Sequence, residues 1–172
     1  MKNYKILLII FFLFISNKLF AQNINYANLD FLIKSSIAGK KITTHFENKN
    51  NDLINEIKTF EDQIKKKEKS LISQKNVLDP DDYENKINLL RNEINSFNKK
   101  NNEKINKINL EKESVLNSFL VEINKILQEY AENNKIGIIM SSNQILIGKS
   151  NLDKTEDILK ILNNKIRNFE IK

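Results

Sequence analysis

The stretch NVLDPDDYENK, residues 76 to 86, decides how this chain folds, because it holds the only proline of the sequence. No glycine occurs between Lys40 and Ile136, so Pro80 alone interrupts a run that otherwise favours helix. The residue before a proline avoids the helical region, so Asp79 is expected to end one helix. Pro80 can open the next, with Asp79 as its N-cap and Asp81 and Asp82 at its positive end. These four residues predict the tip of an antiparallel helical hairpin.

Apolar residues recur every three or four positions on both sides of the proline, a spacing typical of coiled coils. Polar Lys67 and Gln74 stand where the pattern calls for apolar residues, and charges of both signs cover the other faces. The pattern leaves open which apolar residues pack within the hairpin and which face a bound partner. The residues expected in one or the other role are Phe46, Leu53, Ile57, Phe60, Ile64, Ile94, Phe97, Ile105 and Ile108.

The two predicted helices are unusually long for a chain of this size. With roughly 42 and 50 residues at 1.5 Å per residue they would measure about 60 to 75 Å. A compact domain cannot contain such elements. The hairpin, residues 37–133, is therefore expected to project from a smaller body.

Both ends of the chain carry short apolar segments typical of strands. INYANLDF, residues 24–31, predicts a strand that runs into a turn, and IGIIMSS with QILIG, residues 136–148, predicts a buried β-hairpin. Asp153 is the expected N-cap of a last helix. Residues 22–36 and 134–172 are thus predicted to form a β-rich body. The expected fold is mostly α with a small β part (α+β), the helical hairpin being inserted between the first strand and the C-terminal β-hairpin.

The N-terminal segment has the layout of a secretory signal peptide, residues 1–21. A short positive region precedes the apolar run Ile6 to Ile15, which is shorter than the roughly 20 residues of a membrane-spanning helix. Cleavage after Ala21 is expected, with an uncleaved anchor as the alternative, and removal of three lysines lowers the formal charge from +6 to +3. The chain has no cysteine, which excludes disulfides and a lipid-modified N-terminal cysteine.

The residue types needed for catalysis or metal binding are missing from the pattern. GKS at 148–150 lacks the earlier glycine of a phosphate-binding loop, because residue 143 is Asn. His45 is the only histidine and is expected to lie on the helix surface. The basic run KKKEKS, residues 65–70, is interpreted as a solvated helix face, and modest charge argues against nucleic-acid binding. We expect no enzyme, no cofactor, no metal site and no nucleic-acid partner.

The small body favours association of several copies, since its own core is too limited to stabilise so long a chain. Stability is therefore expected to depend on protein concentration. The residues expected at the contact between copies are Ile24, Tyr26, Ile136, Ile138, Met140, Ile145 and Ile147.

Several segments in this order resemble the Skp/OmpH family of periplasmic chaperones. They are a signal peptide, YANLDFLIKSSIAGKK, a long charged helical hairpin, and AENNKIGIIMSSNQILIGKSNLDKTEDILKIL, and together they span essentially the whole mature chain. The N-terminal pattern typical of the family is matched by Asp30, Ser36 and Ala38-Gly39-Lys40. Its C-terminal pattern is matched by Asn134, the apolar runs 136–140 and 145–147, Asp153 and Leu159.

The resemblance implies a periplasmic homotrimer shaped like a jellyfish, whose hairpins hold unfolded outer-membrane β-barrel proteins in a cavity without ATP. The acidic tip and the low charge depart from the basic character of the family, so contact with membrane or lipopolysaccharide is not carried over. Two other interpretations remain. A coiled-coil spacer of the cell envelope would also need long charged helices, and basicity alone would suggest a nucleic-acid binder.

Overall fold

The computed structural model describes residues 23–171; the predicted signal peptide lies outside the described residues. The fold combines two very long helices with a small body built from both ends of the chain, as predicted. The elements are β1 (Ile24–Ala27), α1 (Leu29–Ser35), α2 (Ile37–Gln74), α3 (Pro80–Asn133), β2 (Ile138–Ser141), the 3-10 turns Ser142–Gln144 and Ser150–Leu152, and α4 (Thr155–Lys165).

The first strand is shorter than predicted, because a helix begins where the strand was expected to continue. Asn28 is the N-cap of α1, and its Oδ1 accepts a hydrogen bond of 2.9 Å from the backbone N–H of Phe31. This local bond offers the backbone a helical alternative to a sheet partner. Leu32 in α1 is fully buried, which stabilises the helix against the body.

Ser36 is the N-cap of helix α2, and its hydroxyl accepts from the backbone N–H of Gly39 at 3.1 Å. Gly39 lies so close to α1 that a Cβ at this position would be 1.6 Å from the Ile33 carbonyl oxygen. Only a residue without a side chain fits between the two helices. The glycine is thus explained by close packing.

The two long helices fold back on each other around the proline. Helix α2 ends at Gln74, five residues earlier than the predicted end at Asp79, and a turn occupies the residues between. Helix α3 begins at Pro80, with Asp79 Oδ1 accepting from the backbone N–H of Asp81 at 3.0 Å. At 38 and 54 residues the helices are about 57 and 81 Å long. The longer α3 continues into the body, where it contributes to the core.

The sheet joins the two ends of the chain. Strands β1 and β2 are parallel, in a register that pairs Ile24 with Ile138 and Ala27 with Ser141. Parallel strands need a long crossover, and here the whole helical hairpin supplies it.

The predicted C-terminal β-hairpin is wrong, because residues 145–147 do not form a second strand. Strand β1 is already paired with β2 on one side and makes an isolated bridge from Tyr26 to Asp153 on the other. The 3-10 turn after β2 directs the following residues away from the sheet. The QILIG segment therefore leaves the outer edge of β2 unpaired within residues 23–171.

The hydrophobic core lies where the root of the hairpin meets the body. It contains Leu32, Phe46, Phe119, Ile123, Ile158 and Leu162, which are all almost completely buried. Helix α4 begins at Thr155, two residues after the predicted N-cap, yet the Asp153 carboxylate still accepts from the Thr155 N–H at 2.9 Å. The Thr155 hydroxyl in turn accepts from the N–H of Asn28 at 2.8 Å, which ties both ends of the chain together.

Candidate functional site

The contact between the two long helices, which we call the seam, holds the apolar residues predicted for it. Phe46, Leu53 and Ile64 are buried, and Ile105 is the most open at 39% exposure. The remaining predicted residues are half-buried: Ile57, Phe60, Ile94, Phe97 and Ile108. The phenyl rings of Phe60 and Phe97 stack across the seam with centroids 3.6 Å apart and planes 10° apart. Most of these residues therefore pack between the two helices.

A ladder of polar contacts crosses the same seam at four levels. In three of them a lysine ammonium reaches a glutamate carboxylate at 2.6 Å, and in the fourth a lysine reaches a glutamine oxygen at 2.9 Å. The four rungs are Lys49 with Glu111, Glu56 with Lys104, Lys67 with Glu93, and Gln74 with Lys86.

The rungs lie on one face of the hairpin, which we call the ladder face. Steps between successive rungs are seven, eleven and seven residues on both helices. Seven and eleven are each close to a whole number of helical turns, so the rungs stay on one side of each helix. Lys67 and Gln74, which interrupt the apolar pattern, are thus cross-helix contacts. Their equal spacing on the two helices was the sequence signal for them.

The rung nearest the body has a second basic neighbour. His45 Nε2 lies 3.5 Å from Glu111 Oε1, and Lys49 donates to both oxygens of the same carboxylate. The hydrogen bond from Lys49 lowers the pKa of Glu111 below its ordinary value, an effect that burial partly opposes and His45 reinforces. His45 therefore lies against a structural ion pair on the helix.

The opposite side of the seam, which we call the open face, carries grooves without rungs. One groove of about 610 Å³ is floored by Ile57, Phe60, Ile64, Ile94, Phe97 and Ile105. A second of about 300 Å³ continues it toward the tip, lined by Leu71, Ile72, Tyr83, Ile87 and Leu90, and the two share Glu68 and Ile94. No rung residue lines either groove. The two faces of the hairpin thus differ in chemistry.

A few exposed apolar residues on the arms were not predicted, because they fall outside the seam pattern. They are Ile54, Ile72, Leu89, Leu110 and Val121, and each is about half or more exposed. Ile72 lies at the open-face groove and Leu89 at a cavity of the ladder face. Isolated apolar residues in a charged surface gave no periodic signal that could have singled them out.

The body has an uncovered apolar edge. Ile24 and Ile138 at the start of the paired strands are 45% and 44% exposed, and Ile147 is 91% exposed. Of the other residues predicted for the contact between copies, Tyr26, Ile136, Met140 and Ile145 are half-buried in the single chain. Leu146, which was not among the predicted residues, is 97% exposed. The QILIG segment thus presents two large apolar side chains to solvent.

The tip of the hairpin is acidic and open. Asp79, Pro80, Asp81 and Asp82 are all exposed, and Val77 in the preceding turn is 83% exposed. Negative charge at the start of α3 suits the positive end of the helix dipole. These residues therefore have a structural reason for their place.

Neither a metal centre nor a membrane span is found among residues 23–171. No group of three or more His, Asp or Glu side chains there is placed to hold a metal ion, and no helix there has the length and apolarity to cross a bilayer. Gly148 of the GKS sequence packs against the Tyr26 ring, to which a Cβ would approach within 2.7 Å. That glycine thus has a packing role.

Comparison with known proteins gives a consistent result. The family described as outer membrane protein (OmpH-like) matches residues 23–162. Among solved structures, the crystal structure of a candidate outer membrane chaperone (OmpH-like) from Caulobacter crescentus CB15 is similar with a TM-score of 0.81. That alignment covers 86% of this chain and 88% of the other at 15% identity, which shows a shared fold. No curated protein matches the sequence.

Proposed function

We propose, from the premise that this chain belongs to the OmpH-like family of outer membrane proteins, that it is a chaperone of outer-membrane protein biogenesis in the periplasm. Three copies would associate through their bodies, and their three helical hairpins would enclose a cavity. An unfolded outer-membrane β-barrel protein would be held there and kept from aggregating without ATP. Binding and release require no catalytic step, no cofactor and no metal.

The observation that carries this proposal is the large surface of the arms. Helices α2 and α3 are about 57 and 81 Å long, and most of their residues outside the seam are exposed. Such an extended surface is useful to a protein that holds an extended partner through many weak contacts. The charged residues between the apolar ones keep both arms and client soluble.

The exposed edge of the body supports assembly. Leu146 and Ile147 are exposed and follow β2 closely in the chain, and the unpaired edge of β2 is a template for pairing with another chain. Covering these side chains by a second copy would remove apolar surface from water. The residues proposed for this contact are those of the uncovered edge described above.

The two ends of the hairpin meet in one body, which favours a chaperone over an envelope spacer. A spacer needs length, and it gains nothing from a turn at Pro80 that folds α3 back along α2. The parallel pairing of β1 with β2 brings the hairpin's two ends to one body, so each chain projects a single free tip. That arrangement suits several arms placed around a cavity.

An aggregation assay tests the proposal. A urea-unfolded outer-membrane β-barrel protein is diluted into buffer without nucleotide, with and without the purified protein. We expect light scattering to be suppressed at a stoichiometric ratio of trimer to client. Full aggregation at several-fold excess of trimer would contradict the proposed function.

A further inference from the structure

We infer that the client contacts the open face of each hairpin, and that the groove there accommodates one extended, strand-length segment of the unfolded polypeptide. This inference rests on the function proposed above. It adds which face of the hairpin binds the client and how long the bound segment is. It follows from the one-sided distribution of the ladder, from the length of the groove and from the chemistry of its rim.

The ladder makes the two faces unequal as binding surfaces. On the ladder face the lysine and glutamate side chains already satisfy one another across the seam at 2.6 Å. An apolar segment bound there would have to displace or desolvate these ion pairs, which costs free energy. On the open face the apolar floor reaches solvent directly, and binding would cover it without breaking a polar contact.

The groove has the length of a membrane-spanning β-strand. From Ile105 to Tyr83 it follows α3 for a helical rise of about 33 Å. An extended chain advances about 3.3 Å per residue, so about ten residues fit. A transmembrane β-strand has about 9 to 11 residues, with apolar side chains on alternate positions. One such strand can therefore direct its apolar side to the groove floor along the whole length.

The rim can satisfy the unpaired backbone of such a segment. On α3 it carries Asn98 and Asn102, whose amides both donate and accept hydrogen bonds. Asn101 in the floor is 7% exposed, and its Oδ1 has no hydrogen-bond partner within the described part of the chain. A client N–H at this level, with a rotation of the Asn101 amide, would supply the missing partner. The charges along the groove balance, with Glu61, Lys65 and Glu68 on α2 and Arg91 on α3, so the rim favours a neutral segment.

Two residues near the tip provide a matched pair of probes. Ile72 is 69% exposed at the open face, and Leu89 is 68% exposed at the ladder face. A photo-reactive benzoylphenylalanine is placed at one position or the other, and a urea-unfolded β-barrel protein is added by dilution. The inference predicts about fivefold more crosslinking to the client from position 72 than from position 89, the effect of partly burying one apolar side chain.

The outcomes separate the inference from the proposed function. Equal crosslinking from both positions, with aggregation suppressed, would overturn the inference and leave the chaperone function standing. Loss of aggregation suppression together with absence of crosslinks would overturn both. Crosslinks between copies from position 72 without client would show that a second copy covers the groove, which also overturns the inference.

A substitution test gives an independent readout. Ile72→Asp places a charge at the groove, whereas Leu89→Asp places the same charge on the ladder face at equal exposure, so both variants should fold. We expect the dissociation constant for the unfolded client to rise about fivefold for Ile72→Asp and to stay unchanged for Leu89→Asp. Equal effects of the two variants would contradict the assignment of the open face.

Discussion

The ammonium of Lys67 lies 2.6 and 2.7 Å from the two carboxylate oxygens of Glu93, so a residue that interrupts the apolar pattern is a contact between the arms. Both side chains are about half exposed. Exposed ion pairs contribute at most about 1 kcal/mol each, so the ladder is expected to specify register more than to supply stability. A hairpin shifted by one turn would lose every rung at once.

Charge reversal at one rung tests this role. Lys67→Glu should lower the melting temperature by about 1 to 3 °C, because it replaces an attraction with a repulsion. The double variant with Glu93→Lys should recover most of that loss. Lys66→Glu makes the same charge change at the exposed neighbouring position and serves as control. Zero coupling between Lys67 and Glu93 in the double-mutant cycle would contradict the ladder.

The Glu111 rung predicts a dependence of stability on pH. Lys49 lowers the pKa of the Glu111 carboxylate in the folded state, so the folded protein binds a proton less readily than the unfolded chain. The stabilisation is complete above the ordinary glutamate pKa of about 4.3 and is lost as the pH falls through the lower folded value. Urea unfolding between pH 6 and 3 should show this loss in the native protein. A Glu111→Gln variant with the same acid-side loss would contradict the assignment.

Close approach of the first two helices predicts a large effect at Gly39. Gly39→Ala places a methyl group against the Ile33 carbonyl and should cost about 2 to 4 kcal/mol, because backbone must move. Thermal unfolding measures the loss, and Lys40→Ala at the exposed next position is the control. Equal melting temperatures for the two variants would show that the packing is looser than described.

The exposed edge of the body predicts which substitutions prevent association of the copies. Leu146→Asp combined with Ile147→Asp should abolish association and the concentration dependence of the melting temperature, since both side chains would be buried between copies. Val77→Asp introduces a charge at an equally open apolar residue of the tip and should leave the oligomer intact. Sedimentation velocity distinguishes these outcomes. Association unchanged by the edge substitutions would exclude this edge as the contact.

Much of the fold follows from local signals that leave few alternatives. One proline in a glycine-free run specifies where two helices meet, and caps such as Ser36 indicate where a helix begins. The strand predicted for residues 24–31 was partly wrong because Asn28 caps a helix inside an apolar alternation that also suits a strand. When a short segment suits both the strand period and the helix period, one side-chain hydrogen bond is enough to decide between strand and helix.

The remaining differences depend on partners that are distant in the chain. Ile145 to Ile147 would form a strand only with a partner; the bridge from Tyr26 to Asp153 occupies the outer edge of β1, whereas the outer edge of β2 stays unpaired within the described residues. The ladder depends on the alignment of two helices, which no single helix specifies. The open face likewise becomes visible only when both helices are placed side by side.

Native mass spectrometry of the complex with an unfolded outer-membrane β-barrel protein, formed without nucleotide, tests the central claim most directly. A cavity enclosed by associated hairpins predicts a species containing three copies of this chain and one client. Single chains beside free client, or one chain bound to one client, would contradict it.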